Sequence, residues 1–305
     1  MRNFVGVFGH VVLDHIVTVP HLPRPDTSIE ILDRKRYFGG TAGNLARAAA
    51  RLDTKASLAS FVGSDFPEDY RIALAKDGVD LRDLRKVPGH PTPTAWVFSD
   101  PKGQQMTIID QGPWRIAPRL AVLRHSVRDV ELVHIGTGRP EYYTKVAEAA
   151  EELGRPIAFD PAQELRYVYN RRSFRRLFRM ATYFFGNEAE VVQAMRFAGA
   201  TSVVDLLRSA EAIVVTLGAR GSAVITREGR FRIPAVRPRR VVDVTGAGDA
   251  YRAGFYAGLS RGYDLKRCGI LGSAVASFVL EQKGTQTNLP TWAQATSRAR
   301  RHASF

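Results

Sequence analysis

Short apolar runs recur along the chain, at residues 4–8, 56–62, 132–135, 157–159, 183–185, 213–216 and 223–226. Runs of this length, rich in Val, Ile and Phe, predict buried β-strands. Between most of them lie segments with helical apolar spacing, at 41–52, 142–153, 188–198 and 203–208. Strands alternating with helices require crossover connections. The expected fold class is therefore α/β, a mainly parallel sheet covered by helices on both faces.

Two stretches break the rhythm. Residues 14–38 read as two extended segments around the turn-rich PHLPRPDTS, and residues 94–114 as a hairpin, AWVFSD then QQMTIIDQG, around Pro101, Lys102 and Gly103. Joined in one antiparallel sheet, they would form a small layer beside the main domain, in the manner of a lid. No repeat, low-complexity tract or Gly/Ser/Pro-rich linker interrupts the chain. A single unit over residues 1–305 is expected, with the lid formed by about 14–38 and 94–114.

The 305 residues suffice for one large domain with a substantial core. The one cysteine, Cys268, excludes an internal disulfide framework and a cysteine zinc site, which fits a reducing cytoplasm. The chain opens directly on a strand-like run without a signal-peptide pattern, and no apolar stretch approaches the roughly 20 residues that span a bilayer. A cytoplasmic protein without a membrane partner is expected.

Lys plus Arg outnumber Asp plus Glu by 44 to 30, a formal net charge of +14. Such an excess raises nucleic-acid binding, which needs a focused patch. The densest cluster, Arg171, Arg172, Arg175, Arg176 and Arg179, is interleaved with Phe174, Leu177 and Phe178 at helical spacing. That pattern predicts a solvated charged face over an apolar one, with no specific nucleic-acid partner. The tail Arg298, Arg300, Arg301 and His302 reads likewise as a solvated helix end.

The strongest chemical signal is Asp243-Val244-Thr245-Gly246-Ala247-Gly248-Asp249, ahead of a helix-compatible run rich in small residues. Gly246 and Gly248 leave backbone N–H groups unobstructed at a helix start, where unpaired donors and the dipole favour an anion. Such a place suits the charge on a phosphoryl group in transfer. Asp249, immediately after, is positioned to take the proton of an attacking hydroxyl. The alternative is a capping Asp beside glycines needed for a tight turn.

This motif resembles the signature of the ribokinase-like, or PfkB, carbohydrate and nucleoside kinases. Four more elements of that family occur in order: Gly9 with Asp14, Gly39-Gly40 with Asn44, Asn187 with Glu190, and Thr216, Gly218 and Gly221-Ser222. The resemblance covers essentially the whole chain. It implies a three-layer α/β/α fold with a small β-sheet lid, and a phosphotransferase using ATP and Mg²⁺. Asp249 would be the base and Gly246, Ala247 and Gly248 the anion hole. Asp14, Gly39, Gly40 and Asn44 would hold the acceptor sugar. ATP would lie along Asn187, Thr216, Gly218, Gly221, Thr245 and Ser277, with Glu190 placing Mg²⁺ through water. Departures are small, chiefly Val244 where Thr or Pro is usual and Tyr251 where Phe is usual.

Within the family, the segments at 25–29, 92–98, 134–138, 159–163 and 287–292 resemble archaeal broad-specificity nucleoside kinases, implying a nucleoside 5′-hydroxyl as acceptor. A flat base needs apolar walls and a few polar groups for its edge. Phe38, Trp96, Phe98, Gln111 and Trp114 fall in or beside the lid, either facing the base or forming the lid's own core. His134, Asp160 and Gln163 follow strand-like runs and would line the site from the main domain, where ligands of open parallel sheets gather. The rival acceptors are ribose, fructose or a sugar acid. The rival class is a non-catalytic ligand- or nucleic-acid-binding relative. Exposed lid edges also point to a homodimer.

Overall fold

The computed structural model describes residues 2–102 and 104–301. Gly103 of the expected hairpin turn and His302 of the expected tail lie outside the described residues. In chain order the first half contains β1 Asn3–Phe8, β2 Val12–Thr18, β3 Asp33–Gly39, α1 Thr41–Arg51, β4 Ala56–Gly63, α2 Glu68–Lys76 and β5 Leu84–Val87. It continues with β6 Thr94–Ser99, β7 Gln105–Asp110, α3 His125–Arg128, β8 Val130–Ile135 and α4 Pro140–Glu152. The second half contains β9 Ile157–Phe159, α5 Arg171–Phe178, β10 Tyr183–Asn187, α6 Glu188–Ala198, β11 Ala212–Thr216, β12 Ser222–Ile225 and β13 Arg230–Ile233. Three helices close the chain: α7 Ala247–Leu259, α8 Leu265–Val279 and α9 Trp292–Ala299.

Among the described residues the strands form two sheets. The large one has the order β13-β12-β11-β10-β9-β8-β1-β4-β5. It is parallel except where β12 pairs with β11 and β13. Its inner strands are largely apolar on both faces because helices cover both, whereas the edge strands β5 and β13 carry exposed charges. Val5 and Val7 of β1 pack with α1, α7 and α8, whereas Phe8 packs with α4 on the opposite face. The segment at 203–208, expected as a helix, is a 3₁₀ helix. No helix among the described residues is long and apolar enough to cross a membrane.

The small sheet has the order β3-β2-β6-β7. It was expected to be antiparallel, but its two central strands, β2 and β6, run parallel. The reason is topological. Each hairpin follows a strand of the large sheet, β1 or β5, and these two run the same way, so the first strands of the hairpins can point the same way too.

The arginine-rich helix α5 buries Phe174, Leu177 and Phe178, as its spacing requires. Two of its arginines have local partners: Arg175 donates to the carbonyls of Phe197 and Ala198 at 2.7 and 2.9 Å, and Arg176 pairs with Glu148 at 2.6 Å. In the tail, Arg300 and Arg301 are exposed, but Arg298 is not a solvated end. Its guanidinium pairs with Glu281 at 2.8 Å and lies 3.3 Å over the Phe278 ring. The physical reason is that α9 packs its side against α8, where an apolar stem and a charged head can both be matched.

Candidate active site

A polar cavity of about 400 Å³ opens at the carboxyl ends of the parallel strands. Its floor comes from residues after β1, β8 and β9 (His10, Thr137, Asp160) and from the ends of β10 and β11 (Asn187, Thr216). Its roof is the small sheet, through Val12, Asp14, Ala95 and Ile109. A second cavity of about 490 Å³, more apolar, is lined by Val236, Pro238, Tyr251, Ala276 and Leu280 among others. The two meet at Thr216 and Gly248, which line both. The start of α7 therefore stands between a polar and an apolar compartment.

Gly246 precedes α7 with a φ of 75°, a backbone state that glycine adopts without strain. No side chain caps this helix, and its first internal bond, from Ala250 N–H to Gly246 O, is 3.0 Å. The loop is pinned by Asp243, whose carboxylate accepts from Thr245 N–H at 2.9 Å and Gly284 N–H at 3.1 Å.

Asp249 Oδ2 accepts a hydrogen bond from Asn44 Nδ2 at 2.8 Å. Asn44 Oδ1 in turn accepts from Thr285 Oγ1 at 2.7 Å and Gln286 Nε2 at 2.9 Å. The chain continues through Gln286 Nε2 to the Tyr70 hydroxyl, at 2.6 Å, and from that hydroxyl to Gly39 O at 2.8 Å. With both ends of its amide held, Asn44 has one orientation, and so does the carboxylate it faces.

The cavity gathers five carboxylates, Asp14, Asp160, Glu164, Glu190 and Asp249. Burial raises Asp249 to about 6, offset by the Asn44 hydrogen bond and the positive charge of Arg252. Burial pushes Asp14 up to about 7, with repulsion from Asp249 and Asp243 adding to it. Burial likewise raises Glu164 to about 7, against the pull of hydrogen bonds from Gly138 N–H and Gln111. His10 is lowered to about 4 by burial and stays neutral. Asp160 is paired with Arg252, which donates from Nη2 to Oδ1 at 2.7 Å and contacts Oδ2 through Nε. Burial pushes that carboxyl up while the guanidinium pulls it back.

This geometry has close counterparts. The model of the pfkB family carbohydrate kinases matches residues 2–292. The chain belongs to that family. It is 36% identical to a nucleoside kinase of Methanocaldococcus jannaschii over 96% of each chain. It is 35% identical to a nucleoside kinase of Methanothermobacter thermautotrophicus over 97% of this chain and 95% of that one. The crystal structure of the M. jannaschii nucleoside kinase superposes with a TM-score of 0.92 at 35% identity over 99% of both chains. The Burkholderia thailandensis nucleoside kinase in complex with inosine superposes with a TM-score of 0.87 at 27% identity, over 99% of this chain and 97% of that one.

Most residues expected at the site of this pfkB-family chain lie in one or the other compartment. Asp14, Gly40, Asn44, Gln111, Asp160, Gln163, Asn187, Glu190, Thr245, Gly246 and Asp249 line the polar one. Gly218, Gly221, Ala247 and Ser277 line the apolar one. Gly39 lines neither and sits behind the cavity on the Tyr70 hydroxyl. Asn187 and Glu190 form a capping box at the start of α6, with reciprocal bonds of 2.8 and 2.9 Å. The departure at Tyr251 adds a hydroxyl that reaches Ser222 Oγ at 2.8 Å.

None of the four expected aromatics, Phe38, Trp96, Phe98 and Trp114, lines the polar cavity, whose wall instead carries Tyr167, a residue the sequence reading did not name. Cross-strand neighbours Asp14, Ala95 and Ile109 form the row facing it, so the next row, His15, Trp96 and Ile108, faces away. Trp96 stacks on His15, with ring centroids 4.3 Å apart, and Phe38 stacks on Tyr70 at 4.3 Å. Trp114 is fully buried among Phe61, Tyr142 and Tyr143. His134 is also a core residue, bonded to the Tyr256 hydroxyl at 2.8 Å. Sequence reasoning missed His10, Thr137, Glu164, Arg252 and Thr285, which line the polar cavity. For Arg252 a signal existed: it is the lone charge in the otherwise apolar AYRAGFYAGL.

Proposed function

We propose that this chain transfers the γ-phosphoryl group of ATP to the 5′-hydroxyl of a nucleoside. The observation that carries this reading is the two-compartment slot divided by the uncapped start of α7, with Asp249 oriented at the division. Nucleoside kinases with 35–36% identity over nearly the full length support the acceptor class. So does the inosine complex of a kinase with the same fold.

The adenine of ATP occupies the apolar compartment beside Gly218, Gly221 and Ser277, and its phosphates pass Asn187, Thr216 and Thr245 toward α7. In the polar compartment, Asp14 accepts hydrogen bonds from the ribose hydroxyls next to the Gly40 backbone. Gln111 and Gln163 offer donors and acceptors to the base edge, while Val12, Ala95 and Ile109 supply the apolar surface. Asp249 takes the proton of the 5′-hydroxyl as its oxygen bonds to the γ-phosphorus and the bond to the β,γ-bridging oxygen breaks, releasing ADP. The N–H group of Gly248 faces the charge that accumulates on the moving group, while that of Ala247 is held by the Val244 carbonyl at 3.4 Å.

No cage of three or more His, Cys, Asp or Glu side chains suited to a metal exists among the described residues. The donor set nevertheless suits Mg²⁺, which keeps its waters and needs only one or two carboxylates besides phosphate oxygens. Glu190, with one carboxylate oxygen in the capping box, would hold it through water, and the ion would neutralise phosphate charge.

A coupled ADP-release assay over inosine, guanosine, cytidine, adenosine, ribose and fructose 6-phosphate tests the reading. The nucleosides should turn over fastest. Ribose or fructose 6-phosphate outpacing every nucleoside would replace the acceptor, and ADP release without an acceptor product would remove the kinase reading. We also propose a homodimer formed over the outer face of the small sheet, where Ile108 and Met106 are exposed. Light scattering that returns monomer mass at working concentration would reject it.

A further inference from the structure

We infer that Arg252 is a catalytic residue whose Nη1 contacts the migrating phosphoryl group; this deepens the function proposed above and rests on it. Arg252 lies four residues after Gly248 on α7, so its side chain folds back one turn toward the helix start. The approach is close enough that a Cβ on residue 248 would stand 2.7 Å from Nη1. Glycine at 248 thus does two things: it bares the helix start and it leaves room for the guanidinium.

The remaining donors fix the group. Nη2 donates to Asp160 Oδ1, Nε lies against Oδ2 as an ion-pair contact, and the guanidinium carbon lies 5.6 Å from the centroid of the Phe185 ring. Nη1 is left at the wall of the cavity, which Arg252 lines. Among the described residues lining that cavity Arg252 is the sole Lys or Arg, against five carboxylates.

Stability alone does not account for this arrangement. A cation at a helix N-terminus is repelled by the dipole, and taking a guanidinium out of water costs several kcal/mol before its partner offsets it. Apolar residues of similar volume often replace such a pair with no loss. An anion arriving at the head of α7 gives the charge its purpose. With the rest of the guanidinium held by Asp160, Nη1 is pre-set to meet an equatorial phosphoryl oxygen without reorganising. In the step itself, the 5′-oxygen bonds to phosphorus as the bridging bond breaks, the electron pair leaves on ADP and the proton goes to Asp249. Arg252 neither gains nor loses a proton.

The test uses the full chain as wild type, Arg252→Lys, Arg252→Gln and the double variant Arg252→Met/Asp160→Leu, which removes both charges together. Measured are kcat, the KM for inosine and for ATP, ADP affinity by calorimetry, and Tm. Arg252→Gln and the double variant should lose about 10²-fold or more in kcat, with ADP affinity and both KM values within about 3-fold. Arg252→Lys, keeping a point charge without the fork, should fall between. A double variant of wild-type Tm with kcat within about 3-fold of wild type overturns the assignment, because Arg252 is then a strut. If the double variant does not fold, near-wild-type kcat in Arg252→Gln overturns it equally. A wild-type chain that transfers no phosphate to any nucleoside fails earlier, and overturns the function itself.

Discussion

Asn44 Nδ2 donates to Asp249 Oδ2 at 2.8 Å, joining residues 205 positions apart in sequence. The bond fixes where the carboxylate points and favours its ionised form, the form that accepts a proton. Asn44→Ala removes both effects. A hydrogen bond to a charged group is worth about 1.5–3 kcal/mol, so kcat should fall roughly 10- to 100-fold. The acid limb of the pH profile should move above about 6, the value at which Asp249 stands with the bond in place. A limb that stays put would separate Asn44 from the base.

Asp14 gives a second pH signature, of opposite use. Its carboxyl is raised from 3.8 to about 7 in the folded chain, chiefly by burial. Across that window the folded state binds more protons than the unfolded one, so the contribution of Asp14 to stability falls as pH rises. Asp14→Asn removes the buried charge. At pH 8 the variant should melt higher, by roughly 2–4 °C for each kcal/mol relieved, while its KM for nucleosides rises at least about 10-fold. Melting curves at pH 5 and pH 8 check the sign; a gain confined to pH 5 would contradict it.

Adjacent positions on β6 should behave differently. Ala95 faces the cavity and Trp96 faces away, stacked on His15. Ala95→Leu should raise the nucleoside KM about 10-fold and leave the ATP KM alone. Trp96→Ala should lower Tm while leaving both KM values within about 2-fold. A Trp96→Ala variant selectively impaired for nucleosides would place the ring in the site after all.

That pair also marks the limit of legibility. The apolar runs of the large sheet, the glycine motif and the order of the family's elements could all be read because each is local. Which face of β6 meets the ligand depends on its register with β2, a non-local pairing that periodicity within one strand does not carry. The edge strands β5, LRKV, and β13, RFRI, were unread because edge positions with few buried faces tolerate charges that erase the apolar signal. Glu164 was unread because it comes from a short 3₁₀ segment after β9, where neither period applies. Arg252 was legible as a lone charge in an apolar helix, and only the packing of α7 against the cavity gives that charge a place.

The apolar compartment depends on the C-terminal helix. Arg298 Nη1 donates to Ser277 Oγ at 2.9 Å and to Glu281 at 2.8 Å, bracing the wall on which Ser277 sits. Arg298→Ala should cost about 2 kcal/mol of stability and raise the ATP KM more than the nucleoside KM. Equal changes in the two KM values would mean that the brace does not reach the nucleotide.

The most direct measurement is transfer from γ-labelled ATP to inosine in a single turnover, comparing wild type with Asp249→Asn at equal occupancy of both substrates. The wild type should yield label on the 5′-oxygen of the nucleoside. Asp249→Asn should bind both substrates and transfer at least about 10²-fold more slowly. Transfer at the wild-type rate by the variant, or label on any other hydroxyl, would contradict the assignment of Asp249 as the base at the head of α7.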